Sequence, residues 1–111
     1  DLNKALELNK RAYQYNSSSK GIKDNLAYTY FLIGDTDRAK RMYDELLDEP
    51  LNFPEAYYNA AMVSNSQGQY DEAVRLMKQA LSKQFNGLTA VTREEISSKI
   101  DYLNRGQGGM L

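Results

Sequence analysis

Apolar residues recur along the chain at intervals of three and four, the spacing of one face of an α-helix. The first stretch, Leu2–Tyr15, carries them at positions 2, 5, 6, 8, 12, 13 and 15. Ile22–Ile33 follows, with Leu26, Ala27, Tyr30 and Ile33 on one face. Arg38–Leu47 continues the pattern through Ala39, Met42, Tyr43, Leu46 and Leu47. Glu55–Ser66 and Tyr70–Ser82 form a further pair of helical segments. No segment alternates with period two, so the pattern predicts no sheet. The punctuation agrees. Asn16-Ser17-Ser18-Ser19 supplies side-chain oxygens of the kind that cap a helix N-terminus. Gly34 and Gly68 each fall between two helical patterns, where a left-handed residue ends the first helix. Asp35 or Thr36 can cap the helix that follows Gly34. Pro50 and Pro54 bound the next loop, and Pro54 suits a first helical turn, where its missing N–H costs nothing. Helices joined by about three residues must be antiparallel neighbours.

The final segment differs. Thr92-Arg93-Glu94-Glu95 is a capping box: the Thr92 oxygen can accept from the Glu95 N–H, and the Glu95 carboxylate can reach back. Ile96, Ile100 and Leu103 then make a narrow apolar stripe, with Ser97, Lys99, Asp101 and Asn104 on the other faces. This predicts a helix over 92–105 that covers the end of a helical stack. Gly106-Gln107-Gly108-Gly109 marks 106–111 as a flexible tail.

The chain repeats itself. Residues 20–53 laid on 54–87 give the identities Asn25/Asn59, Ala27/Ala61, Gly34/Gly68, Asp37/Asp71, Ala39/Ala73, Arg41/Arg75, Leu47/Leu81 and Asn52/Asn86. Roughly two would arise by chance from ordinary composition. Residues 1–16 laid on 69–84 match at Ala5/Ala73, Leu8/Leu76, Lys10/Lys78 and Ala12/Ala80. The chain therefore reads as starting halfway through a repeat, as a piece of a longer protein. The plainer alternative is an ordinary N-terminal capping helix over 1–16. The expected organisation is one helical-repeat domain over 1–105: a half repeat (1–16), two whole repeats (20–53 and 54–87) and a capping helix (92–105).

Two helices in 34 residues narrow the repeat class. Pro54-Glu55-Ala56-Tyr57-Tyr58-Asn59-Ala60-Ala61, Gly68-Gln69-Tyr70-Asp71-Glu72-Ala73 and Ala80-Leu81 resemble the tetratricopeptide repeat. The first unit is similar but looser, through Asn25-Leu26-Ala27, Tyr30, Gly34-Asp35-Thr36-Asp37-Arg38-Ala39, Tyr43 and Leu46-Leu47. The resemblance covers about residues 1–85. Ala61 stands where the family usually has Gly and Ser64 where it usually has Tyr; the closing Pro is displaced to Pro50 in the first unit and missing from the second. The resemblance implies an all-α fold of antiparallel helix pairs stacked as a right-handed superhelix. It also implies a concave face, lined by the first helix of each pair, that holds a peptide or helix of a partner protein. By the family's pattern that face would carry Asp24, Tyr28, Phe31 and Leu32 from one unit, and Glu55, Tyr58, Met62, Asn65 and Ser66 from the next. Tyr and Met suit adaptable recognition. The expected partner is an apolar or amphipathic segment with some positive charge. Packing against a neighbouring helix is the competing use of the same residues, above all for Phe31 and Leu32. Asn25 and Asn59 sit where a family member can hold a peptide backbone. The Lys, Asn and Arg clamp by which some members hold acidic chaperone C-termini has no match, since Asp24, Tyr28, Tyr58 and Met62 occupy the comparable places.

Composition narrows the chemistry. The 111 residues suffice for one compact domain. With 14 Lys plus Arg against 15 Asp plus Glu, the net charge of −1 speaks against a general nucleic-acid binder. The chain has neither Cys nor His, which removes thiol and imidazole catalysis, disulfides and the usual zinc ligands. Carboxylates cluster at Asp44, Glu45, Asp48 and Glu49 and at Glu94 and Glu95, and read as solvated helix faces rather than a metal site. Arg38, Lys40 and Arg41 read as surface ion pairs. No apolar run is long enough to insert in a bilayer. The chain is thus expected to be a protein-interaction scaffold, with no catalysis and no cofactor. Two other functions stay open: an assembly module that self-associates through the bare face of Leu2, Leu6 and Leu8, or a chaperone for an apolar secreted client. The absence of Cys is compatible with cytoplasm or periplasm.

Overall fold

The structure, a computed structural model, describes residues 1–106; the expected tail lies, from residue 107 onward, outside the described residues. The described residues are all-helical: α1 (Leu2–Tyr15), α2 (Lys20–Ile33), α3 (Thr36–Leu46), α4 (Glu55–Ser66), α5 (Tyr70–Leu81) and α6 (Arg93–Asn104). No helix among them is long and apolar enough to cross a membrane. The chain divides into two compact units, Asp1–Glu49 with α1 to α3 and a second that begins at Pro50 and holds α4 to α6.

In the first unit α2 packs on both α1 and α3. The Ser19 hydroxyl accepts from the Ile22 N–H at 3.2 Å, which starts α2 two residues earlier than the apolar pattern does. Of the two possible caps before α3, Asp35 is used: its carboxylate accepts from the Arg38 N–H at 3.3 Å. Leu26, Ala27, Tyr30, Ala39, Tyr43 and Leu46 form the core. Ile33, expected on the same face, is exposed because it closes the last turn of α2. Helix α1 buries none of its residues; Leu2, Leu8 and Tyr15 are exposed. A polar relay joins it to α2, in which Asn9 Nδ2 donates to Thr29 Oγ1 at 2.8 Å and Thr29 donates to the Asn25 carbonyl at 2.8 Å.

In the second unit α5 packs on α4 and on α6. Pro54 is the residue before the first helical turn of α4 and is fully buried. Buried Tyr57 accepts the Leu51 N–H at 2.9 Å and so ties the preceding loop to α4. Tyr70, the first residue of α5, is 42% exposed. Arg93 closes the end of α5: its guanidinium donates to the Leu81 carbonyl at 2.7 Å and lies 4.2 Å from the Phe85 ring centroid. The Thr92 oxygen accepts from the Glu95 N–H at 3.1 Å, and its hydroxyl meets the Glu95 carboxylate at 3.2 Å. The stripe Ile96, Ile100 and Leu103 is buried.

The two hairpins are built alike. Gly34 has φ +105° and Gly68 has φ +77°, both left-handed. The Gly34 N–H donates to the Phe31 carbonyl at 3.0 Å and the Asp35 N–H to Tyr30 at 2.9 Å. Thirty-four residues on, Gly68 donates to Asn65 at 3.0 Å and Gln69 to Ser64 at 2.9 Å. This pairing of bonds closes a helix on a glycine. Ala27, Ala61, Ala39 and Ala73 are all fully buried, small residues where the two helices of a pair meet.

Candidate functional site

The residues assigned to the partner face occupy quite different environments. Asp24 is only 4% exposed, and its carboxylate accepts the Tyr43 hydroxyl at 2.7 Å, with its carbonyl 3.2 Å from the same hydroxyl. It is occupied by the packing of α2 on α3. Tyr28 and Phe31 are half-buried and form a tilted ring pair with centroids 5.6 Å apart. Beside them on the next turn, Leu32 is 50% exposed. Together they make a partly exposed apolar patch on α2.

On α4, Asn65 is buried, while Tyr58, Met62 and Glu55 are half-buried and Ser66 is exposed. The Ser66 hydroxyl bonds back to the Val63 carbonyl at 2.6 Å. One carboxylate oxygen of Glu55 is buried with no hydrogen-bond partner among the described residues. The Tyr58 hydroxyl accepts from the Lys99 ammonium of α6, which also lies 4.7 Å from the ring centroid. No local signal marks Lys99 for this contact, since the sequence pattern places it on the polar face of a covering helix. The surface near Tyr58 carries a cation, and Asp24 is turned inward. Of the two acidic residues behind the expected preference for some positive charge, Asp24 is thus occupied within the fold and Glu55 stays half-buried on α4.

Of the basic residues expected in surface ion pairs, Arg38 and Lys40 form them among the described residues and Arg41 does not; of the acidic runs, Asp44 and Glu45 are paired. Lys40 pairs with Asp44 at 2.7 Å, Lys23 with Glu45 at 3.0 Å and Arg38 with Asp35 at 3.3 Å. Arg75 pairs with Glu72 and donates to Gln79 at 2.8 Å. These are largely exposed contacts, each contributing under about 1 kcal/mol. The hydrogen bond to Tyr30, and after it the nearby charge of Asp35, raises the pKa of Arg38 above its ordinary high value.

Two family models, both described as the tetratricopeptide repeat, match residues 24–50 and 55–84. Between them they span just over half of the chain. The chain belongs to the tetratricopeptide repeat family. The matches fall on the hairpins α2–α3 and α4–α5, the segments that the 34-residue identity had paired. Tetratricopeptide repeats mediate protein–protein interaction, and proteins of the family are typically scaffolds rather than enzymes. A search of curated proteins finds no match to the chain.

Proposed function

We propose that this tetratricopeptide repeat chain is an interaction scaffold that binds an apolar or amphipathic segment of a partner protein through the first helices of its repeats. The observation that carries this reading is the half-buried Tyr28–Phe31 ring pair of α2 beside exposed Leu32. Large rings with few rotors offer contact area at low entropic cost. On α4, half-buried Met62 is the adaptable contact. Tyr58 contributes together with the Lys99 ammonium that covers it. Glu55 lies half-buried on the same helix, while buried Asn65 and Asp24 act by fixing their own helices from within.

Panning a random peptide library against the chain tests the reading. Selected peptides should be apolar or amphipathic, and Phe31→Ala or Met62→Ala should weaken them roughly tenfold or more. Selected peptides whose affinity ignores both substitutions would remove the first helices as the site. The assembly reading retains one observation in its favour, the exposed Leu2 and Leu8 of α1.

A further inference from the structure

A cleft of about 510 Å3 opens between α1, α2 and α3, wholly within the first unit. Its volume lies in the range of ligand pockets, about 300–1,000 Å3. Leu26 and Tyr30, both buried, and half-buried Tyr13 and Met42 give it an apolar base. Around them stand Lys10, Lys23, Arg38 and Arg41; Glu45 is the carboxylate of the lining, and Asp35 pairs with Arg38 from outside it. On α2 the lining residues Lys23, Leu26 and Tyr30 follow at three and four, on a face about a third of a turn from Tyr28 and Phe31. The cleft is therefore separate from the surface proposed above, and stands or falls independently of it.

The cations are arranged around Tyr30. The Arg38 guanidinium lies 4.9 Å from its ring centroid and Lys10 Nζ 5.9 Å. Glu45 is occupied by Lys23 at 3.0 Å. Arg41 is exposed and has no hydrogen-bond or ion-pair partner among the described residues. The repeat explains why. Arg75, the equivalent of Arg41 in the second unit, is tied to Glu72 and Gln79. The positions equivalent to these two hold Arg38 and Glu45. The carboxylate of Glu72 is thus replaced by the guanidinium of Arg38, and the carboxylate that stands in place of Gln79, Glu45, is held by Lys23 rather than by Arg41.

We propose that this cleft binds an acidic peptide segment, with an aromatic or aliphatic side chain against Leu26 and Met42 and flanking carboxylates on Arg41 and Lys10. Charge complementarity selects this occupant. Cations drawn from three helices around an apolar base match several carboxylates spaced along a chain, and Arg pairs with carboxylate through two hydrogen bonds at once. A nucleic-acid backbone is disfavoured by the net charge of −1 and by exposed Asp44, Asp48 and Glu49.

Fluorescence anisotropy of a fluorescein-labelled Glu-Asp-Leu-Phe-Asp-Glu peptide titrated with the full chain tests this. Saturable binding is expected, weaker at high salt, and lost in a Gln-Asn-Leu-Phe-Asn-Gln peptide. Arg41→Glu should weaken it roughly tenfold or more, with unchanged circular dichroism because Arg41 is exposed and unpaired. Arg75→Glu, the same change at the equivalent position of the other repeat, should leave it intact. Unsaturable binding, equal affinity for Arg41→Glu, or tighter binding of an oligouridylate than of the peptide overturns the proposal.

Discussion

At the scale of single residues, buried polar groups that have partners stand against two atoms, Ser64 Oγ and one Glu55 carboxylate oxygen, that have none among the described residues. Tyr43 and Asp24 are both buried and hydrogen-bonded to each other at 2.7 Å. Tyr43→Phe leaves a buried carboxylate short of a donor and is expected to destabilise the chain by about 1.5–3 kcal/mol in urea unfolding; an unchanged midpoint would contradict this role. Ser64 is fully buried and its hydroxyl has no hydrogen-bond partner among the described residues. Ser64→Ala is therefore expected to stabilise by about 1 kcal/mol, read from the same unfolding curve; a loss of stability would show that the hydroxyl is satisfied. Residue identity made part of this legible. Small residues inside apolar helical patterns, Ala27, Ala39, Ala61 and Ala73, are buried as packing requires. Asp24 was legible only as a position on a face. Its depth depends on Tyr43, which lies 19 residues away on another helix and which no local pattern links to it.

At the scale of elements, the hairpin turn is the best-specified feature. Gly34 and Gly68 have left-handed backbones and make the same pair of hydrogen bonds one repeat apart. A Cβ at either glycine would meet no atom within 4 Å, so a substitution acts through the backbone alone. Gly34→Ala and Gly68→Ala should each cost about 1–2 kcal/mol, with the urea m-value unchanged. Two silent substitutions would mean that the turn tolerates another conformation. Period and punctuation gave the helices almost to the residue, because capping is local chemistry. The misses are also local: Ser19 begins α2 earlier, and α3 begins at Thr36 because Asp35 supplies the cap. The contact of Lys99 with Tyr58 was not legible, since 41 residues separate them and only the fold of the second unit joins them.

At the scale of the molecule, contacts cluster within two units, Asp1–Glu49 and the part from Pro50. A repeat chain is held by neighbours in sequence, so a boundary in the loop between repeats follows from that architecture. The 34-residue identity makes the family legible in the sequence, and the matches at 24–50 and 55–84 agree with it. The partner surface was less legible, because a repeat pattern assigns residues to a helix face without saying which of them packing consumes. A peptide-binding scaffold should remain a single chain in solution. Light scattering after size-exclusion chromatography, at several concentrations, is expected to give one constant monomer mass. A mass that rises with concentration, and falls again on Leu2→Asp, would instead assign exposed α1 to self-association.

The most direct test of the interaction reading is the position of a library-selected peptide on the isotopically labelled chain, mapped by amide chemical-shift changes. The largest shifts are expected at Tyr28, Phe31 and Leu32 of α2 and at Met62 of α4. Shifts confined to α3, α5 and the loops, with those four residues unmoved, would contradict it.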